Sequence, residues 1–129
     1  MSTYLADTSV LIDVLRGVPD RVERLKALVE AGHILACSAI TVAELFAGMR
    51  QRERTVTVGL LDSLEHFDVT RPIAEKAGLL RREWATKGRT FSLPDLLIAA
   101  TAISHGLILI TDNVKDFPMK ELELHELAE

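Results

Sequence analysis

At 129 residues the chain is long enough for one domain with a core of its own, and a single domain over residues 1–129 is expected. Nearly half of the residues are apolar (48%) and about a quarter charged (26%), which excludes a disordered chain. The formal net charge of −4 excludes a uniformly basic nucleic-acid binder, and no apolar run approaches the roughly 18 residues of a membrane span. An acid at position 7 leaves no signal-peptide core, and the one cysteine, Cys37, permits no internal disulfide, so a reducing cytoplasm is the expected compartment.

Charge is spread unevenly. Residues 50–89 carry 9 basic and 6 acidic groups, while the segments on either side are net acidic. The middle third is therefore the expected place for any basic surface, although solvated helices are the commoner reason for such a run.

Residues 4–6 are a short apolar run that stops on Asp7, followed by Thr8, Ser9 and a new apolar pattern. This reads as a buried strand, a tight turn and a helix over residues 9–16, stopped by Gly17 and Pro19. Asp20, with Glu23 three residues on, is expected to cap a second helix that ends at Gly32. Residues 34–37 are a second apolar strand containing Cys37, whose thiol reads as core filling. A third helix follows residues 38–41, and residues 50–66 read as a fourth with Gly59 as its weak point. A short strand is expected at residues 67–69. Thr70 and Pro72 start a long helix with the stripe Ile73, Ala77, Leu80, Trp84, ended by Gly88. Ser92 and Pro94 start an almost wholly apolar, hence buried, helix over residues 96–104, with Gly106 after it. Residues 107–110 form a continuous apolar strand, and a weak strand is expected at 122–124. Uniformly apolar strands alternating with helices predict an α/β/α sandwich of three layers around a parallel sheet.

In such sheets ligands bind beyond the carboxyl ends of the strands. Asp7 follows the first strand, Glu44 lies one turn into the helix after the second, and Thr111, Asp112, Asn113 and Asp116 follow the fourth. Asp95 opens the buried helix. Thr41-x-x-Glu44, Ser92-x-x-Asp95 and Asn113-x-x-Asp116 all have the spacing of capping boxes, as does Asp20-x-x-Glu23. For any one acid, capping is the commoner explanation. The joint pattern points elsewhere: several carboxylates sharing one crevice repel each other, and no Lys or Arg adjoins them in sequence before Lys115. A hard divalent cation, Mg²⁺ or Mn²⁺, resolves that repulsion and suits phosphodiester hydrolysis. The sequence has no P-loop or dinucleotide fingerprint. His33, His66, His105 and His125 form no zinc-like pair with each other or with Cys37, and Ser9 and Ser38 lack a neighbouring base.

The blocks Asp7-Thr8-Ser9-Val10-Leu11-Ile12-Asp13, Thr41-Val42-Ala43-Glu44-Leu45 with Gly48, Pro94-Asp95-Leu96-Leu97-Ile98-Ala99-Ala100-Thr101-Ala102, and Leu109-Ile110-Thr111-Asp112-Asn113 with Asp116-Phe117 resemble a PIN-domain ribonuclease of the VapC toxin type. The resemblance runs in order along essentially the whole chain. It implies a Mg²⁺- or Mn²⁺-dependent endoribonuclease that acts on RNA, is held silent by a VapB-type antitoxin, and forms a homodimer. It carries Asp7, Glu44 and Asp95 over as catalytic metal ligands. The fourth acid stays open among Asp112, Asn113 and Asp116, because many relatives have an acid where this chain has Asn113. If Thr111 faces the crevice, strand alternation turns Asp112 away and favours Asp116, at the third position of a short helical turn capped by Asn113. Thr8, Ser9, Thr111 and Asn113 are expected to support the carboxylates by hydrogen bonds, and Arg50, Arg52, Arg81 and Arg82 to grip the RNA backbone. The competing readings are a different acidic α/β enzyme, such as an aspartyl-phosphate phosphatase, whose second acid would stand where this chain has Ser9, and a PIN-like module that binds RNA or protein without cutting it.

Overall fold

A computed structural model describes residues 1–127. In chain order it contains β1 (Thr3–Ala6), α1 (Thr8–Leu15), α2 (Pro19–Glu30), β2 (Ile34–Ser38), α3 (Ala39–Gly48), α4 (Arg54–Asp62), β3 (Glu65–Phe67), α5 (Arg71–Thr86), α6 (Leu93–His105), β4 (Ile108–Thr111) and β5 (Glu123–Glu126). Single 3₁₀ turns occupy Gln51–Glu53 and Val114–Asp116.

All five strands are parallel, in the order β3-β2-β1-β4-β5. Register and alternation then sort the helices into two layers. Leu5 stands opposite Ala36 on one side and Leu109 on the other. These three form one face and pack with Ile73, Ala77 and Leu80 of α5 and Leu96, Ala99 and Ala100 of α6. The alternate residues Ala6, Cys37 and Ile110 face the opposite way, against Leu11 and Val10 of α1, Leu25 of α2, Leu45 of α3 and Leu61 of α4. The expected three-layer sandwich is therefore the observed one.

The terminal strands explain where the expected boundaries moved. β3 lies at residues 65–67 rather than 67–69 because it is an edge strand with exposed Glu65 and His66; Val69 reaches the core from the following loop. The expected helix over 50–66 is a 3₁₀ turn followed by α4, which stops at Asp62 to let β3 begin. β5 runs over 123–126 instead of 122–124. At α2, Asp20 is not the cap. Val18 holds that place and Pro19 starts the helix, its fixed φ already suited to the first turn. α6 ends as read, on Gly106 in the left-handed region at φ 64°. Among the described residues no helix is long and apolar enough to cross a membrane. Burial pushes the Cys37 thiol up to about 11, so this side chain behaves as an unreactive core group.

Candidate active site

The chain runs outward from β1 to β2 and β3, then returns to the other side of β1 to lay down β4 and β5. The direction of winding reverses between β1 and β4, which is where an open parallel sheet leaves a crevice. Asp7 sits at that point. Its backbone N–H donates to the Ile110 carbonyl at 2.9 Å, fastening the end of β1 to β4. Its side chain is buried, only 6% exposed.

Both Asp7 carboxylate oxygens are engaged. Oδ1 accepts from the Thr8 N–H at 2.8 Å, so Asp7 is the N-cap of α1, and Oδ2 accepts from the Thr111 hydroxyl at 2.9 Å. Burial pushes the Asp7 carboxyl above its ordinary range; the Thr111 and Thr8 bonds pull it back in part, and the charges of Asp95 and Asp112 add to the rise. Capping accounts for the first bond. It does not account for a buried acid set beside two others.

Glu44 is placed by a different logic. α3 begins at Ala39, with Ser38 as its cap accepting from the Thr41 N–H at 3.2 Å. Glu44 therefore lies in the second helical turn, beyond any capping role, and the Thr41-x-x-Glu44 spacing is not a capping box. Contrary to what its apolar neighbours suggest, Glu44 is exposed. The Thr8 hydroxyl donates to Glu44 Oε1 at 2.7 Å, which leaves Thr8 Oγ1 to accept from Thr41 Oγ1 at 3.0 Å; Thr41 in turn accepts from Ser38 at 3.4 Å. This buried chain of hydroxyls aims one carboxylate oxygen. Thr8→Val removes its last link, and RNA cleavage is expected to fall several-fold while the melting temperature moves little. A fully active Thr8→Val protein in a steady-state cleavage assay contradicts a role for the chain of hydroxyls.

Asp95 holds the third position of α6, where Ser92 Oγ accepts from its N–H at 3.3 Å. Among the described residues no donor reaches its carboxylate. The last stretch of the site departs from the alternation argument. Thr111 faces Asp7 as expected, but it is also the final residue of β4, so alternation no longer governs Asp112. Asp112 turns back into the site: its Oδ1 accepts from Ser9 Oγ at 3.4 Å and its Oδ2 from Arg21 Nη2 at 2.7 Å. Asn113 does not cap the next turn with its side chain; its N–H donates to Thr111 Oγ1 at 2.9 Å. Asp116 occupies the third position of that turn, partly buried, and is not among the charges acting on Asp7.

Arg21 is the residue that sequence reasoning missed. It lies on α2, far along the chain from Asp112, and no local pattern announces the pair. Of the four arginines expected to meet RNA, Arg52 lines a groove of about 480 Å³ together with Glu44, Arg16, Gly48 and Met49. Arg50 is exposed and its N–H donates to Glu53, while Arg81 and Arg82 are exposed on α5.

Residues 4–118 match the family model described as the PIN domain, a span that takes in Asp7, Glu44, Asp95 and Asp116. Among curated relatives, the chain is 41% identical over 117 residues to Ribonuclease VapC10 of Mycobacterium tuberculosis, covering 91% of this chain and 87% of the relative. It is 36% identical over 115 residues to Ribonuclease VapC19 of the same organism, covering 89% and 92%. This chain belongs to the VapC family of PIN domains. A VapBC2 crystal structure from Rickettsia felis, solved with a DNA fragment from its promoter, contains a chain that superimposes with a TM-score of 0.84 at 29% identity, over 96% of this chain and 98% of the other. This PIN domain thus keeps the family fold, and its Asp7, Thr8, Glu44 and Asp95 lie on the elements that the parallel sheet brings to one crevice.

Proposed function

We propose that the chain is the toxin of a toxin–antitoxin pair, an endoribonuclease that hydrolyses RNA phosphodiester bonds with a divalent cation and is held silent by a VapB-type antitoxin. One observation carries the reading: a buried Asp7 at the switch point of the sheet, its proton affinity raised by burial and by Asp95 and Asp112. Membership of the VapC family, whose relatives are named ribonucleases, supplies the substrate class.

The donor set fits a hard cation. Among the described residues, the side chains bonded to Asp7 or acting on it by charge are the Thr111 hydroxyl and the Asp95 and Asp112 carboxylates, and a cation would offset the burial and the neighbouring charges that raise Asp7. Among the described residues no three acids, histidines or cysteines already form a closed ligand set. Mg²⁺ suits that openness, since it commonly takes one or two carboxylates and keeps several waters. Asp7 and Asp95 are the residues that would hold it, with Asp116 as the proposed fourth acid. When bound, Mg²⁺ or Mn²⁺ supplies an activated water and neutralises the charge that grows on the phosphate.

The chain's own groups do the rest. Thr111 and the Thr8 N–H fix the Asp7 carboxylate, so its oxygens need no reorganisation on loading. Glu44 would act on the cation directly or through water and help to orient the attacking water, a role that its hydrogen bond from Thr8 supports. Arg16 and Arg52 line the groove that Glu44 opens onto, which supports a role for them in holding the RNA backbone by charge. A neutral partner suits the crevice poorly. An antitoxin that silences the site is expected to bring an Arg or Lys to these carboxylates, and the expected assembly is a toxin homodimer bound to antitoxin in the cytoplasm.

The test is cleavage of a mixed RNA pool by the purified chain. Cleavage that stops in EDTA, returns with Mg²⁺ or Mn²⁺, and disappears in a saturated complex with the antitoxin supports the reading. RNA binding without cleavage at any metal concentration overturns it in favour of a silent binding module.

A further inference from the structure

Arg21 is bonded to Asp112, an acid whose charge acts on Asp7, and it is not a loose surface charge. Its Nη2 lies 2.7 Å from Asp112 Oδ2 and its Nε 3.1 Å from Asp13 Oδ2. The Arg21 side chain is 17% exposed and that of Asp112 20%, so water screens the contact less than at an open surface. The guanidinium fork thus bolts α2 to α1, through Asp13, and to the segment after β4, through Asp112. Asp112 in turn contacts Ser9 and adds to the charge felt by Asp7.

We infer that Arg21 withholds Asp112 from the cation, so that the site binds metal more weakly than its number of nearby acids allows. This rests on the divalent-metal reading proposed above. A carboxylate committed to an arginine at 2.7 Å must surrender that bond to become a ligand. While the bond stands, the Asp112 carboxylate is committed to Arg21 and Ser9 rather than free to coordinate, although its charge is still felt at Asp7. Freed of Arg21, Asp112 becomes an additional charged oxygen donor beside Asp7. Affinity for hard cations rises with the number of charged oxygen ligands. The arrangement has a second consequence. In the absence of metal the Arg21 fork ties α2 to α1 and to the segment after β4, so its loss costs stability that a cation held by the freed Asp112 restores in part.

The experiment measures Mn²⁺ binding to the full-length chain by the loss of free-ion electron paramagnetic resonance signal, with thermal melts in EDTA and in Mn²⁺. The set is the parent, Arg21→Met, Arg21→Lys, Asp112→Asn and the double variant Arg21→Met/Asp112→Asn. Arg21→Met is expected to bind Mn²⁺ about tenfold more tightly than the parent, the effect of one added charged ligand. It should melt earlier in EDTA and gain more from Mn²⁺. The double variant should lose that gain, which ties it to Asp112 rather than to the general removal of a positive charge. Arg21→Lys keeps the charge but cannot span Asp13 and Asp112 with a fork, so a smaller tightening is expected. If Arg21→Met does not melt cooperatively, Arg21→Lys decides, and unchanged affinity there overturns the inference. Parent binding with equal or weaker binding by Arg21→Met overturns the inference and leaves the metal reading standing. A gain that persists in the double variant also overturns it. No Mn²⁺ binding by the parent overturns the metal reading and this inference with it.

Discussion

Asp7→Asn is expected to abolish RNA cleavage and to leave the metal-free protein at least as stable as the parent at neutral pH. The loss in rate should be about a thousandfold or more, the scale of the several kcal/mol that a bound metal contributes to such a reaction. Stability should not follow, for two reasons. Asparagine is as good an N-cap as aspartate, so the bond from the Thr8 N–H survives. The amide also removes a charge that burial, Asp95 and Asp112 all disfavour. The pH dependence fixes the sign. Folded Asp7 holds its proton more tightly than unfolded Asp7, so the parent loses stability as pH rises above the ordinary aspartate value of 3.8 and through the raised folded value. Below 3.8 both states carry the proton and this penalty is absent. Asparagine has none at any pH, so the advantage of Asp7→Asn should be greatest at neutral pH and shrink on acidification. Calorimetric melts in EDTA across that range check it. Mn²⁺ should then reverse the order by stabilising only the parent. An Asp7→Asn protein that melts many degrees below the parent in EDTA at neutral pH reduces Asp7 to a cap.

The capping question shows what could be read in the sequence and what could not. Four stretches had capping-box spacing, and the structure treats them differently; Asn113 makes no side-chain cap for the turn that holds Asp116. Asp20 is no cap because Pro19 starts its helix, and Glu44 is no cap because Ser38 starts α3. Asp95 does stand at the third position of its helix, and Asp7 does cap α1, yet each also belongs to the crevice. The fold was legible because Leu5, Ala36 and Leu109 sit in uniformly apolar strands that only a sheet covered on both faces requires. β3 was misplaced because an exposed edge strand carries no such run. Arg21 was invisible for a different reason: its partners, Asp13 and Asp112, meet it only through tertiary packing, and no periodicity connects α2 to the end of β4. The chain of hydroxyls from Ser38 through Thr41 and Thr8 to Glu44 likewise joins two helices that no spacing rule links.

The fourth acid is where these lines meet. Asp112 is nearer to Asp7 in its electrostatic effect, which by itself favours it as the fourth group. Its carboxylate is committed, however, to Arg21 at 2.7 Å and to Ser9 at 3.4 Å. Asp116 stands on the turn just beyond, partly buried, and among the described residues no side chain or backbone donor reaches its carboxylate. An uncommitted acid can engage a cation through water without breaking an ion pair, whereas Asp112 cannot. At limiting Mg²⁺, Asp116→Asn is therefore expected to lose about tenfold to a hundredfold in cleavage, the range for groups that act on a metal through a hydrogen bond or a water. Asp112→Asn should lose clearly less, because the carboxylate that it removes is already committed to Arg21 and Ser9. Saturating Mg²⁺ should restore Asp116→Asn in part, since the defect lies in holding the ion. Equal losses in the two variants, or a larger loss at Asp112, assign the fourth place to Asp112 and make Asp116 a residue of the turn alone.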